Sequence, residues 1–287
     1  MTALPATRTL LAAGGTALAL LVLTACGGEA SETGEASAST PALSHVHGLG
    51  VDPADGRMYV ATHDGLYTVA EDQQPKLVGD RKDDFMGFTV TGKNAFIASG
   101  HGAPGSGRPA NLGLIKTEDA GRTWAPQSLS GQADFHSLDS AQGTVFGYEN
   151  GRIRVSNDLK NWDDRAVLSA LDLAVDPTRA DTVLATTAEG IVTSNDGGRT
   201  FGKAAGPVQA FLSWPEEKSL FGIDTLGKLS RSDDGGTTWK QLTTVPGGAP
   251  QALTAADGDH ILAATQTGVY ESRDGGKTFA ELAPLAS

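Results

Sequence analysis

The chain has 287 residues and a formal net charge of −12 at pH 7, because 34 Asp and Glu residues face only 22 Lys and Arg residues. This acidic balance argues against binding to nucleic acid and against direct adhesion to anionic lipid. The single cysteine, Cys26, excludes intramolecular disulfides and cysteine-rich zinc sites.

The first 25 residues have the pattern of an export signal. Arg8 precedes an apolar run from Leu10 to Leu23, which is short for a bilayer span, and small residues follow. The stretch Leu23-Thr24-Ala25-Cys26 resembles a bacterial lipobox. That resemblance implies cleavage before Cys26, a diacylglycerol group on its sulfur, and attachment to the outer face of the cell membrane.

The remainder divides into a tether and one folded domain. Residues 26–44 are small, polar and acidic, so they bury too little apolar surface to fold and are predicted to form a lipidated, disordered tether. Residues 45–287 are enough for one domain with a full core. We expect this domain to be monomeric.

Five short segments in the folded part repeat one pattern at intervals of 38 to 40 residues: TEDAGRTW (117–124), SNDLKNW (156–162), SNDGGRTF (194–201), SDDGGTTW (232–239) and SRDGGKTF (272–279). Such a period indicates an array of stacked supersecondary units. Between the segments, short β-branched runs alternate with turns and no helical period is sustained, which predicts an all-β fold.

The repeated octet resembles the Asp-box, or BNR repeat, of sialidase-like β-propellers. Its acidic residues are Asp119, Asp158, Asp196, Asp234 and Asp274. Asp and Ser side chains bind turn amides, glycine supplies positive φ, and the final aromatic residue packs between units. Counting the units without a good octet predicts six blades of four strands each. The resemblance implies that the Asp-boxes lie on the face opposite the ligand site, so these acids are predicted to be structural.

Aligning the blades by their apolar residues predicts which side chains line the central channel. One position of the inner strands is then occupied, in blades 1 to 6, by Leu49, Phe88, Leu138, Leu173, Phe211 and Leu253. The position two residues earlier is occupied by His47, Met86, His136, Leu171, Gln209 and Gln251. The position two residues before that is occupied by His45, Asp84, Asp134, Ser169, Pro207 and Ala249. Residues two apart share a face of a strand. The loops between strands two and three add His63, Asp64 and His101 to the same rim, whereas His260 falls at the opposite rim.

This concentration of imidazoles in the first three blades predicts a metal site made from His45, His47, Met86, His101 and His136. Imidazole suits copper and zinc, and a thioether favours Cu(I), so copper is preferred over zinc. The plainer interpretation is that each histidine binds a neighbouring carbonyl and that Met86 fills the core.

Two other functions stay open. Asp84 and Asp134, with Glu149 near them, could form the carboxylate pair of a glycoside hydrolase, although the arginine trio that sialidases use is missing. The rim could instead dock a protein or a glycan. The Gly100–Gly105 segment formally matches a dinucleotide loop, but Pro104 and the lack of a following helical pattern argue against a nucleotide cofactor.

The whole chain is similar to exported bacterial lipoproteins that are labelled glycosyl hydrolase or exo-alpha-sialidase-like. The stretches HVHGL (45–49), DFMGF (84–88) and DFH (134–136) carry this closer resemblance. It implies a membrane-anchored extracytoplasmic propeller, and the label does not define a substrate.

Overall fold

A computed structural model describes residues 42–69 and 74–286, which form a six-bladed β-propeller without helices in this part of the chain. The predicted signal peptide, Cys26 and most of the predicted tether lie outside the described residues. Within those two ranges there is no helix long and apolar enough to cross a membrane.

Each of the first three blades is a four-stranded antiparallel sheet made from one continuous segment, with its first strand against the channel. Blade 1 contains β1 (Val46–Val51), β2 (Met58–Thr62), β3 (Gly65–Val69) and β4 (Pro75–Leu77). Blade 2 contains β5 (Asp84–Gly92), β6 (Ala95–His101), β7 (Leu114–Thr117) and β8 (Ala125–Ser128). Blade 3 contains β9 (Ser137–Ala141), β10 (Thr144–Glu149), β11 (Arg152–Ser156) and β12 (Asp163–Val167).

The last three blades repeat this plan, with one reduction. Blade 4 contains β13 (Leu173–Asp176), β14 (Arg179–Thr187) and β15 (Gly190–Ser194). Blade 5 contains β16 (Phe211–Glu216), β17 (Ser219–Ile223), β18 (Lys228–Ser232) and β19 (Lys240–Thr244). Blade 6 contains β20 (Pro250–Ala255), β21 (Ile261–Thr265), β22 (Gly268–Ser272) and β23 (Ala280–Pro284). The outer strand of blade 4 is reduced to a single bridge between Ile191 and Ala205, in a stretch rich in glycine and alanine.

Side chains join neighbouring blades by accepting hydrogen bonds from the backbone of the next blade. Asp52 Oδ1 accepts from Asn94 N–H, Ser99 Oγ from Phe135 N–H, and Asp139 Oδ2 from Val175 N–H. In the same way, the Asp172 side chain accepts from Leu212 N–H and the Ser213 side chain accepts from Ala255 N–H. The Gln251 side chain accepts from Val46 N–H where blade 6 meets blade 1. Each bond satisfies an amide at a blade junction, which would otherwise be costly to bury.

The ring closes between blade 6 and blade 1 by packing and by one short parallel pairing. Leu43 is buried and pairs with Leu285. The backbone N–H of Leu43 donates to Pro284 O at 3.1 Å. The chain therefore joins the propeller at Leu43, inside the segment that the sequence assigns to the tether. Val46, Leu49, Val60 and Leu262 belong to the apolar cluster at this seam.

The Asp-box octets form tight turns between the third and fourth strands. In the turn at 194–201, Asp196 Oδ1 accepts from Arg199 N–H and Thr200 N–H, while Gly198 N–H donates to Ser194 Oγ at 2.8 Å. Gly198 has φ +81°, a conformation that side chains disfavour. Hydrogen bonds from the Thr200 side chain and backbone hold the pKa of the Asp196 carboxyl well below its usual range.

Antiparallel strand order fixes which rim each loop occupies. The turns between strands one and two and between strands three and four share one rim, so the Asp-boxes and the loop with His260 lie together. Gly275 N–H of the last Asp-box donates to Asp259 O, next to His260. The loops between strands two and three open on the other rim.

Candidate metal centre at the channel mouth

The inner strands enclose a cavity of about 460 Å³ on the propeller axis. Its walls include the six predicted apolar channel residues, Leu49, Phe88, Leu138, Leu173, Phe211 and Leu253, together with His47 and His136. Five of these apolar residues are buried, whereas in blade 5 Leu212 is buried and Phe211 is only partly so. The two histidines stand at one end of the channel.

Three histidines of blade 1 form a contiguous group at this end. His45 immediately precedes the inner strand and His47 is the second residue of that strand. His63 lies in the loop between β2 and β3, where its backbone N–H donates to His45 O at 3.3 Å. The ring centroids of His47 and His63 are 4.4 Å apart, and that of His45 lies 4.8 Å from the first and 5.4 Å from the second. The β1–β2 register shifts between Val46 and Gly48, so His47 is the extra residue of a bulge, a feature that re-aims side chains.

Asp84, at the start of blade 2, completes a triangle of donor atoms with two of these imidazoles. His63 Nδ1 lies 3.0 Å from Asp84 Oδ1, His47 Nε2 lies 3.5 Å from the same oxygen, and the two nitrogens are 3.1 Å apart. Asp84 Oδ1 is buried and has no hydrogen-bond partner of acceptable geometry in the described ranges. All three donor atoms lie within 4.8 Å of one another, as ligands of one ion must.

The electrostatic environment keeps two imidazoles of this group neutral. Burial, followed by the proximity of His63, His45 and His136, lowers the pKa of His47 to about 3, although Asp134 acts in the opposite direction. Burial, followed by the proximity of His63, also lowers the pKa of His45. A neutral imidazole offers a lone pair, which is the form that a metal ion binds.

A second group lies between blades 2 and 3. Asp134 Oδ2 is 3.1 Å from His101 Nε2 and 2.9 Å from His136 Nε2. The hydrogen bond with Asp134 raises the pKa of His136. Asp134 is itself held in place, because its N–H donates to Glu149 Oε2 at 2.7 Å. The imidazoles predicted for one site are thus distributed over two groups, each with its own carboxylate.

The backbone around Gly100 sets the geometry between Asp84 and His101. These two residues pair across β5 and β6, and Met86 is the bulged residue where the register shifts between Phe85 and Gly87. Gly100 has φ +139°, and a Cβ there would stand 1.9 Å from Asp84 O. Only glycine fits this close approach. Met86 is half-buried at the register position of His47 on the next blade.

The third carboxylate of the predicted hydrolase set has structural contacts. Glu149 is buried; besides accepting from Asp134 N–H, its Oε1 lies 3.4 Å from Arg154 Nη1. Tyr148 donates to Leu168 O and accepts from Ala170 N–H. Asp84 and Asp134 each face two imidazole nitrogens.

The sequence predicts the correct rim for His63 and Asp84 but does not identify them as metal ligands. The signal was available for both residues. His63 stands in the loop that opens on the rim of His45 and His47, and Asp84 stands at the register position of His45. What the sequence does not show is the 3.0 Å approach between them.

Comparison with known proteins supports the fold. No protein-family model and no curated protein matches the chain. Among solved structures, a nidogen–laminin complex has a TM-score of 0.60 at 12% identity over 80% of this chain and 93% of that chain. YCF48 bound to D1 peptide has a TM-score of 0.52 at 17% identity, over 84% and 81% of the two chains. An ancestral GH74 enzyme has a TM-score of 0.54 at 14% identity, and the match covers 84% of this chain but only 38% of the enzyme chain.

At these identities the likeness shows the β-propeller fold alone. The protein spans less than half of the GH74 enzyme's length. The sialidase-like family label that the Asp-boxes suggest is not confirmed by a family match.

Proposed function

We propose that this protein is an exported, lipid-anchored metal-binding propeller that holds one divalent transition-metal ion among His47, His63 and Asp84. The observation that carries the proposal is the triangle of donor atoms at 3.0, 3.1 and 3.5 Å, with a buried Asp84 oxygen that lacks a hydrogen-bond partner within the described chain. An orphaned buried carboxylate oxygen is costly, and a cation between the three atoms would satisfy it.

The donor types favour a divalent ion of borderline softness. Two imidazole nitrogens with one carboxylate oxygen suit Zn²⁺ and Cu²⁺, whereas Cu(I) prefers thiolate and thioether sulfur. Among divalent ions, copper binds nitrogen and oxygen donors more tightly than zinc. We therefore propose Cu²⁺ as the tighter ligand and Zn²⁺ as the weaker one.

The test is a metal titration of the full chain purified in detergent, with a chelator of known affinity as competitor. His63→Ala removes one donor and should weaken Cu²⁺ binding by about 100-fold or more, because even indirect partners of metal ligands are worth 10–100-fold. His260→Ala is the matched control, since its imidazole lies on the opposite rim and pairs with Glu271 Oε1 at 2.8 Å. Equal losses in both variants, or no stoichiometric binding by the wild type, would overturn the proposal.

Met86→Leu tests the ligand set that the sequence suggests. It preserves the side-chain volume and removes only the thioether. We expect unchanged Cu²⁺ affinity, because the proposed donors are His47 Nε2, His63 Nδ1 and Asp84 Oδ1. A large loss would instead assign the ion to the set built around Met86.

The anchoring part of the proposal rests on Leu23 to Cys26 and places the domain at the outer face of the cell membrane. The tether of polar and acidic residues would let the propeller stand away from the lipid surface. A Cys26 variant tests this part independently of the metal.

A docking scaffold is the second candidate, because two large apolar side chains are exposed on the half of the rim without histidines. Leu171 is 54% exposed and Val208 is 47% exposed, at the start of blades 4 and 5. A photo-crosslinking residue at position 171 in intact cells should give one discrete protein adduct if this surface docks a partner. The absence of any adduct would argue against it. A glycoside hydrolase is a weaker alternative, because Asp84 and Asp134 each face two imidazole nitrogens.

A further inference from the structure

The large aliphatic side chains that the fold leaves exposed all lie on the rim of the channel mouth. Within residues 42–69 and 74–286 they are Val167, Leu171, Val208 and Leu226, which are 68%, 54%, 47% and 69% exposed. Val167 ends the outer strand of blade 3, and Leu171 and Val208 precede the inner strands of blades 4 and 5. Leu226 lies in the loop between β17 and β18, which opens on the same rim.

We call these four side chains the apolar crescent. One exposed aliphatic residue needs no explanation, but a group confined to one rim of consecutive blades is typical of an interaction surface. The crescent occupies the half of the rim that lacks the histidines.

The chain enters the propeller on this rim as well. Leu43 pairs with Leu285, whose N–H donates to Thr267 O in the loop between β21 and β22. Residues 26–41, between the predicted lipidated cysteine and the described fold, are sixteen in number and span at most about 55 Å when extended. The tether therefore lets the propeller stand away from the lipid or return to it, and it is attached on the rim that carries the crescent.

The chemistry of the crescent favours uncharged lipid. Exposed charges in the loops of this half have both signs, as in Glu189 of blade 4 and Lys228 of blade 5, and the net charge of −12 disfavours adhesion to anionic lipid. Aliphatic side chains gain free energy by leaving water for the boundary between lipid headgroups and acyl chains. An anchor keeps that boundary at high effective concentration, which a protein partner in solution lacks.

We propose that the apolar crescent contacts the outer surface of the membrane that holds the lipid anchor, so that the channel mouth faces the bilayer. This inference deepens the proposed function and rests on its anchoring part, but it does not require the metal ion. An ion bound at the mouth would then exchange on the membrane side of the propeller.

The experiment uses the full lipidated chain in phosphatidylcholine vesicles that contain a nitroxide-labelled lipid. Because Cys26 is the single cysteine and carries the lipid, an introduced cysteine is the one free thiol. Ala188→Cys places a fluorophore in the loop between β14 and β15, on the crescent rim, and Ala256→Cys places it in the loop between β20 and β21, on the opposite rim. Both alanines are exposed, so the two reporters are matched.

The fluorescence of the Ala188→Cys reporter should shift to the blue and be quenched by the nitroxide lipid, whereas that of the Ala256→Cys reporter should not. High salt should leave the quenching unchanged, because salt screens charges and not apolar contacts. Val167→Ser combined with Leu226→Ser should abolish the quenching. This double variant should still float with the vesicles, melt normally and bind Cu²⁺, since both side chains are exposed and remote from the metal ligands in sequence.

The outcomes separate this inference from the proposed function. A chain that floats with the vesicles but shows no quenching, or equal quenching of both reporters, overturns the inference and leaves the anchor. Quenching that survives the double serine variant also overturns it. A chain that does not float overturns the anchor and the inference together. An Ala188→Cys reporter that is unquenched in vesicles but shielded in native membranes assigns the crescent to a protein partner and overturns lipid contact.

Discussion

Ser99 provides a direct test of how one blade positions the next, and through it of how the candidate site is held. Its buried hydroxyl accepts a hydrogen bond of 2.9 Å from Phe135 N–H across the junction of blades 2 and 3. Phe135 is fully buried and stands between Asp134 and His136 in the sequence. Ser99→Ala removes the acceptor and leaves the amide without a partner, while hardly changing the packed volume.

The expected loss follows from the cost of an orphaned amide. Leaving a buried donor unsatisfied lowers the free energy of unfolding by about 1–3 kcal/mol. For a domain of this size each kcal/mol shifts the melting temperature by about 2–4 °C, so the fall should be about 2–12 °C. Thermal unfolding followed by circular dichroism measures it.

Ser140→Ala is the matched control for this prediction. Its side chain lies on the channel face, and its hydroxyl takes part in no hydrogen bond to the residues that the structure describes. It should melt within about 1 °C of the wild type, as surface substitutions usually do. A native melting temperature for Ser99→Ala, or an equal fall for both variants, would refute the role of the junction bond.

Three further predictions concern pH, anchoring and the turns. Burial raises the pKa of Asp139 to about 7 and that of Asp172 to about 6, so the folded state binds more protons than the unfolded chain between about pH 4 and pH 7. The free energy of unfolding in urea should therefore fall as the pH rises through that range; Asp139→Asn should flatten the slope, and an unchanged slope would contradict the assignment. Cys26→Ser should release the protein from membranes or leave its signal uncleaved; unchanged fractionation and mature mass would reject lipidation. Asp196→Ala should lower the melting temperature, because two backbone amides lose their acceptor, and should leave Cu²⁺ affinity unchanged. A variant that melts normally but loses the metal would contradict the structural assignment of the Asp-boxes.

Much of the local design is readable from the chain. An aspartate followed two residues later by a glycine, as in Asp196 and Gly198, specifies the turn in the octets that keep both residues. The hydrogen bonds of the aspartate and the positive φ of the glycine are both local to one octet. His47 and Leu49 both line the channel, although the bulge at His47 interrupts the strict alternation of side chains along β1. Blade 4 departs from the plan at Ala205, where small residues support only one bridge.

The six-bladed propeller and the rim on which the histidines gather can be predicted from the sequence, because both depend on short-range periodicity repeated along the chain. Only the tertiary structure decided that His63 and Asp84 meet at 3.0 Å and that His101 and His136 share Asp134. Those distances depend on the bulge at His47, the close backbone approach at Gly100 and the packing of adjacent blades. They are contacts between segments brought together by the packing of neighbouring blades, and no local pattern encodes them.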